Sequence, residues 1–323
     1  MRVVSLLSSC TEWVCTMGAE RLLVGRSHEC DFPSSVARLP RCSRPLIDVD
    51  AGSAEIDRQV KERRRNALSI YEVDEALLRE LRPDVVLTQT QCDVCAVSLA
   101  DVETALGRIT GCNTRVVSVH PTDLESVFED GRRIARALGI DQSAEVAIAA
   151  LKERLADLTR STARLLSERT QHGLAAPRVL CLEWIDPPMA SGNWMPELVA
   201  TVSATLVGGE AGRPSPWITH DEIASLDPDE IVILPCGWDV RRAERELGPL
   251  ANSPAWRSLR AVRSGRVSLA DGNQFFNRPG PRLIESAELL AEIVWSQSRG
   301  QAPHWRRIDA AEWDDLAKPA QAE

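Results

Sequence analysis

Several residue types and patterns are scarce or missing in this sequence. Its 323 residues include one Tyr, four Phe and five His. No apolar run approaches the roughly 20 residues that a membrane-spanning helix needs. The Gly-x-Ser-x-Gly elbow, the Walker phosphate loop and the Gly-x-Gly-x-x-Gly fingerprint are all missing from the sequence. The common hydrolase, nucleotide and dinucleotide chemistries therefore lack their local signatures, and we expect a protein that is not embedded in a membrane.

An excess of basic residues is also missing. The chain carries 38 basic and 47 acidic residues, a formal net charge of −9. Nucleic-acid binding depends on clustered Lys and Arg that neutralise phosphates. The one basic run, at residues 61–65, lies in a helical pattern and is interpreted as a solvated helix face. We therefore expect no nucleic-acid partner.

The amino terminus and the cysteines bear on the compartment. The segment before Cys10 is too short to hold a basic stretch, an apolar stretch of about 7–15 residues and a cleavage site. We interpret Val3 to Leu7 as a buried strand instead. Nine cysteines, an odd number, are typical of a reducing compartment in which thiols stay free or bind metal. We therefore expect a cytoplasmic protein.

The alternation of short apolar runs with helical patterns predicts an α/β fold. Residues 1–121 form one predicted lobe, with a parallel sheet and helical crossovers. Residues 122–172 keep a helical pattern almost without breakers and predict a long helical spine. Residues 173–323 repeat the α/β pattern. The predicted architecture is two Rossmann-like lobes with parallel sheets, joined by that spine.

Ligands of open parallel sheets bind where strands end and loops begin, so these loops hold the candidate contacts. The loops of the first lobe are polar, with the candidates Thr11, Glu12, Arg26, Ser27, His28, Glu29, Gln89 and Gln91. The loops of the second lobe are aromatic, with the candidates Trp184, Trp194, Trp238, Phe275, Phe276 and Arg278. Flat aromatic rings suit a planar ligand, although each of them also suits a core.

Several sequence segments carry a family resemblance through their order and spacing. In the first part of the chain they are SLLSSCTE at 5–12 followed by Gly18, VG at 24–25 leading to DFP at 31–33, and LRPDVVL at 81–87. In the second part they are LDPDEIVILP at 226–235, Trp256, AVRSGRV at 261–267 and PGPR at 279–282. In this respect the chain resembles the helical-backbone metal-chelate receptors, the class III periplasmic substrate-binding proteins, and among them a cobalamin-binding subgroup. The resemblance covers nearly the whole chain.

The resemblance implies a small metal-chelate ligand held in the cleft between the lobes. A corrinoid such as cobalamin comes first, haem or another chelate second, and a directly bound metal ion third. Family members that serve an ABC importer carry an export signal, and we find none, which puts an importer partner in doubt. A cytoplasmic carrier or sensor of a corrinoid or another metal-chelate cofactor is the function that reconciles these points.

The histidine and cysteines of the first-lobe loops are candidate metal ligands. Zinc binds Cys and His in tetrahedral sets, so His28, Cys30, Cys92 and Cys95 are a candidate site for zinc or iron. The Cys-x-x-Cys pair also fits a redox pair at a helix start, or two small buried residues. His28 alone also fits an axial ligand of a corrinoid cobalt, or a turn residue bonded to Glu29 or Asp31.

Three further readings of these residues stay open. Glu12 fits an amino-terminal helix cap that begins at Ser9. Arg26 and Arg278 fit either contacts to polar ligand edges or ordinary surface networks. An enzyme that uses Cys92 with His28 or His120 as nucleophile and base is the alternative function. We expect a binding protein without catalytic residues.

Overall fold

The computed structural model describes residues 1–66, 68–90, 99–107, 114–296 and 301–317. The chain divides into two compact units. Unit 1 comprises Met1–Ala51, Glu55–Lys152 and Pro279–Arg282, and unit 2 comprises Gly52–Ala54, Glu153–Arg278 and Leu283–Glu323. The chain thus passes from one unit to the other more than once, and the lobe boundaries inferred from the sequence stay a prediction.

Unit 1 is built on a parallel sheet. Its strands are β1 (Val3–Ser5), β2 (Leu23–Arg26), β3 (Ser43–Pro45), β4 (Tyr71–Val73), β5 (Val85–Gln89) and β6 (Arg115–Val119). The main sheet has the order β2-β1-β5-β6 with every pair parallel, and β3 and β4 form a separate antiparallel pair. All five residues of β5 are buried, as expected for an inner strand covered on both faces.

The helices of unit 1 follow these strands. They are α1 (Ser8–Thr16), α2 (Ser53–Arg65), α3 (Glu75–Leu81), α4 (Leu99–Gly107), α5 (Leu124–Leu138) and α6 (Asp141–Gln171). The first two residues of α2 and the second part of α6 belong to unit 2. Helix α1 lies against α5, where a side chain at Gly131 would meet the ring of Trp13 at 3.0 Å.

Helix α5 shows why the predicted spine is helical. Asp123 and Ser126 form a capping box at its start, and Gly139 ends it in the left-handed conformation at φ +68°. Helix α6 begins at Asp141, immediately after this break, and continues for 31 residues. The segment predicted as a spine therefore contains two successive helices.

Unit 2 contains a larger, mixed sheet. Its strands are β7 (Arg178–Trp184), β8 (Met189–Ala190), β9 (Thr205–Leu206), β10 (Glu230–Ile233), β11 (Val267–Ala270), β12 (Gln301–Ala302) and β13 (Trp305–Ile308). The order is β12-β13-β11-β10-β7-β8, and β9 also pairs with β7. Strands β7, β10 and β11 run parallel, whereas β8, β12 and β13 add antiparallel pairs.

The helices of unit 2 are mostly short. They are α7 (Met195–Thr201), α8 (His220–Leu226), α9 (Val240–Arg245), α10 (Gly248–Ala251), α11 (Pro254–Ser258), α12 (Arg260–Arg263), α13 (Leu283–Trp295) and α14 (Glu312–Leu316). Across the described ranges, every helix is too short or too polar to cross a bilayer. The predicted α/β class with parallel sheets is confirmed.

Candidate functional site

In unit 1, the loop after β2 is held in place by Arg26. Its Nη1 donates to the carbonyl oxygens of Ser27 and Cys30, each at 3.0 Å. Its Nη2 and Nε donate to the carbonyls of Ala37 and Leu39, each at 3.2 Å. The side chain is buried. These contacts place Arg26 in the network that shapes the loop from which His28 projects.

The imidazole of His28 is fixed by a hydroxyl group. Its Nδ1 lies 2.9 Å from Ser43 Oγ, which also accepts the backbone N–H of His28 at 3.3 Å. The Tyr71 ring packs beside it with centroids 5.2 Å apart. Its Nε2 lies 3.9 Å from Glu29 Oε1, beyond hydrogen-bond distance. The ring therefore bonds to Ser43 rather than to Glu29 or Asp31, the partners considered from the sequence.

Burial decides the charge of His28. Desolvation, and then the positive charges of Arg41 and Arg26, lower the pKa of His28 from 6.5 to about 4. The imidazole is therefore neutral at neutral pH and keeps a lone pair on one ring nitrogen. A neutral imidazole is the form that coordinates a transition metal.

Cys30 lies in the same loop but faces the interior. Its Sγ accepts from Thr11 Oγ1 at 3.0 Å and lies 3.3 Å from Ser27 Oγ. Burial raises the pKa of Cys30, which favours the thiol over the thiolate that metals bind. Thus Thr11, Ser27 and Cys30 are brought together by hydrogen bonds. Gln91, Cys92 and Cys95 lie outside the described residues.

A metal ion held by protein groups alone needs several ligands. Within the residues that the structure describes, no group of three or more His, Cys, Asp or Glu side chains is placed to hold one. Because two members of the proposed four-ligand set lie outside those residues, the set of His28, Cys30, Cys92 and Cys95 stays a prediction.

Two residues that sequence reasoning missed lie near Glu12. The guanidinium of Arg282 lies 3.9 Å from the centre of the Phe32 ring, and its Nη1 lies 4.0 Å from Glu12 Oε1. The segment 279–282 had been noted in the sequence only for its resemblance. Helix α1 begins at Ser8 with Leu7 at the cap position, so Ser9 does not start a cap that Glu12 completes. Gln89, at the end of β5, is buried.

In unit 2, Trp184 and Trp238 are brought together. Their ring centroids are 4.9 Å apart at an interplanar angle of 43°. The indole N–H of Trp184 donates to the carbonyl of Ser53 at 3.2 Å, and the guanidinium of Arg242 lies over the Trp238 ring at 4.9 Å. Both Trp side chains are buried. The pair therefore already has aromatic, cationic and backbone partners within unit 2.

The other aromatic candidates form a second group. The indole N–H of Trp194 donates to the carbonyl of Phe276 at 2.8 Å, and the rings of Phe275 and Phe276 are 6.5 Å apart. All three side chains are buried. Arg278 Nη2 donates to Asn273 Oδ1 at 2.9 Å. The contact of these six aromatic and basic candidates with a ligand stays a prediction.

The chain was compared with family models and with known proteins. No family model matches it. An uncharacterised ABC transporter substrate-binding lipoprotein of Bacillus subtilis is 22% identical over 303 residues, which cover 91% of this chain and 80% of that protein.

Solved structures resemble the chain over nearly its whole length. A periplasmic haem-binding protein from Pseudomonas aeruginosa matches with a TM-score of 0.68 and 21% identity, over 95% of this chain and 97% of that one. A periplasmic vitamin B12-binding protein of Vibrio cholerae matches with a TM-score of 0.60 and 16% identity, over 91% and 96% of the two chains.

These similarities correct one expectation and confirm another. The relatives are described as periplasmic proteins and as a lipoprotein, so the prediction of a cytoplasmic protein is wrong. The inference had rested on the amino terminus and on an odd number of cysteines, and neither pattern is specific enough to fix a compartment. The resemblance inferred from the sequence is confirmed by the fold. The chain has the fold of the class III periplasmic substrate-binding proteins.

Proposed function

We propose that this protein reversibly binds a metal–tetrapyrrole chelate, a corrinoid or a haem, and that it catalyses no reaction. One observation carries the proposal. His28 presents a neutral imidazole, fixed at Nδ1 by Ser43, on a loop at the end of a parallel strand. If Nδ1–H donates to Ser43 Oγ, the lone pair lies on Nε2 and is available to a metal.

A chelated metal suits this single donor better than a bare ion does. A macrocycle supplies four equatorial ligands and leaves axial positions to be filled from the protein. A bare ion needs several protein ligands, and no such cluster is present in the described part of the chain. The names of the haem-binding and B12-binding structural relatives support the same ligand class.

A corrinoid such as cobalamin and haem are the two members of this class to be separated by experiment. Both present a broad ring with an apolar face, so either would gain from aromatic side chains such as Trp184 and Trp238. Because both rings are buried, they rearrange when the ligand binds. The structural relatives are described as binding proteins, so they give no support to the alternative function, an enzyme that uses a thiol.

We further propose that the protein works outside the cytoplasmic membrane and hands its ligand to a membrane transporter. The support is the Bacillus subtilis relative, which is described as an ABC transporter substrate-binding lipoprotein. The earlier doubt about an importer came from the apparent absence of an export signal. A direct check is retention of the ligand-loaded protein by transporter-containing membranes.

The binding proposal is tested by titrating the purified protein with hemin, aquacobalamin and cobinamide, using calorimetry and absorbance. We expect an equimolar complex with one ligand class and a dissociation constant that rises about tenfold or more in His28→Gln. His172→Gln is the matched control, because His172 Nδ1 bonds only to the backbone oxygen of Glu168 at the surface. Failure of the unaltered protein to bind any of the three probes would overturn the proposal.

A further inference from the structure

A second histidine, His304, lies at the edge of the unit 2 sheet where the parallel strands end. It occupies the two-residue turn between β12 and β13, directly after Pro303. Strand β13 runs antiparallel to β11 with Trp305 paired to Ala270, so the start of β13 meets the carboxyl end of β11. The backbone N–H of Asp271 donates to the carbonyl of His304 at 2.9 Å. A tight turn therefore fixes the backbone of His304 beside the loop after β11.

This loop is joined to the loop that carries Trp238. The backbone N–H of Asn273 donates to the carbonyl of Trp238 at 3.0 Å. Strands β10 and β11 are parallel neighbours, so both loops leave the sheet at the same edge. Ligands of open α/β sheets bind at that edge. His304 thus shares its position in the fold with an aromatic candidate, although nothing in its local sequence marks it.

The His304 side chain faces a buried carboxylate. Its Nδ1 lies 3.5 Å from Asp271 Oδ2, and its ring meets Phe275 edge-on with centroids 4.9 Å apart. The Asp271 side chain is 5% exposed, whereas that of His304 is 41% exposed. A carboxylate facing Nδ1 favours the tautomer with the proton on Nδ1, which leaves the lone pair on Nε2. Of the described residues, none forms a hydrogen bond with Nε2.

We propose that His304 Nε2 coordinates the metal centre of a chelate that has an open axial position, and that Asp271 is its positioning residue. A histidine that binds a metal usually donates its other ring N–H to a carboxylate, which fixes the orientation of the ring. The inference rests on the proposed function and assigns a second donor nitrogen for the same ligand class.

The hydrogen bonds that Asp271 accepts fit this role. Its Oδ1 accepts the backbone N–H groups of Asn273 at 3.0 Å and Gln274 at 2.9 Å, and its Oδ2 accepts from Gln274 Nε2 at 3.3 Å. Because these donors hold the carboxylate in one orientation, it cannot turn away from His304 without losing them. The dyad is therefore preorganised, which lowers the entropy lost when a ligand binds.

The test uses hemin and aquacobalamin as probes with His304→Ala, His304→Gln and Asp271→Asn. With the chelate that binds, we expect absorption bands of imidazole coordination in the unaltered protein, a shift of these bands in both His304 variants, and a dissociation constant raised about tenfold or more. Asp271→Asn should weaken binding about tenfold, because an amide N–H facing Nδ1 moves the ring proton to Nε2. His220→Ala, a half-exposed histidine of the same unit, is the control.

The outcomes separate the two proposals. Unchanged spectra and affinities in the His304 and Asp271 variants, with binding intact, would overturn the role of His304 and leave the proposed function standing. Absence of any chelate binding by the unaltered protein would overturn both. Circular dichroism on each variant, together with the conservative His304→Gln change, distinguishes lost coordination from lost folding.

Discussion

His28 of unit 1 and His304 of unit 2 offer the same chemical group in two different settings. The side chain of His28 is 16% exposed and bonds to the hydroxyl of Ser43, whereas that of His304 is 41% exposed and faces the carboxylate of Asp271. A hydroxyl both donates and accepts, so it leaves the tautomer of His28 open. A carboxylate only accepts, so it favours the His304 tautomer with the proton on Nδ1. The group that faces Nδ1 thus decides how strongly each imidazole favours the tautomer that keeps a lone pair on Nε2.

Removing the carboxylate of Asp271 should have the largest effect on stability. Asp271→Ala leaves two partly buried backbone N–H groups, those of Asn273 and Gln274, without their acceptor. We expect a loss of about 2–3 kcal/mol in the free energy of unfolding, measured by urea denaturation.

The matched control is Asp271→Asn, which keeps an oxygen for the two N–H groups but removes the negative charge that faces His304. It should retain most of the stability lost in Asp271→Ala. An equal loss in both variants would show that the negative charge of Asp271, rather than the hydrogen bonds it accepts from the two N–H groups, stabilises this region.

The stability of the protein at low pH should show whether the imidazole of His28 is buried and neutral. The unfolded chain binds the His28 proton near pH 6.5 and the folded protein only near pH 4, so stability is lost as the pH falls through this range. His28→Gln removes that contribution, which we expect to amount to about 2 kcal/mol between pH 7 and pH 4. The measurement is the difference between the two stability curves, in which the other titrating groups cancel. Parallel curves would contradict the buried, neutral setting of His28.

The smallest effect is expected at Ser43. Ser43→Ala removes the partner of both the backbone N–H and Nδ1 of His28, and should cost about 1 kcal/mol by urea denaturation. Ser258→Ala is the control, since that exposed hydroxyl donates only to a helical carbonyl. A loss at Ser43 as large as that in Asp271→Ala would remove the distinction drawn between the two histidines.

The sequence predicted those elements whose pattern is local. The strands around Val85 and Ile231 are short apolar runs after an Arg-Pro or Asp-Pro turn, and both form inner strands. The helical pattern after residue 122 likewise corresponds to α5 and α6. Each of these depends on residues within a few turns of one another, so periodicity is enough to find them.

The site depends on distant residues and was harder to predict. Ser43 meets His28 because a bridge joins Arg26 to Arg41, and Asp271 lies beside His304 across 33 positions of the chain. The segment 305–308 has no clear strand pattern, because its apolar residues Trp305 and Ile308 are separated by two arginines. Tertiary pairing with β11 makes that segment a strand, and no local pattern contains this information.

The β12 and β13 hairpin has a further consequence for how the protein behaves when it is shortened. Strand β13 pairs with all four residues of β11, each of which is buried, and Trp305 is fully covered. A chain ending at residue 296 would leave β11 as an exposed, apolar sheet edge of the kind that recruits strands from other molecules. The carboxyl-terminal hairpin thus protects the sheet edge from self-association. The truncated protein should form aggregates even where its remaining core is intact.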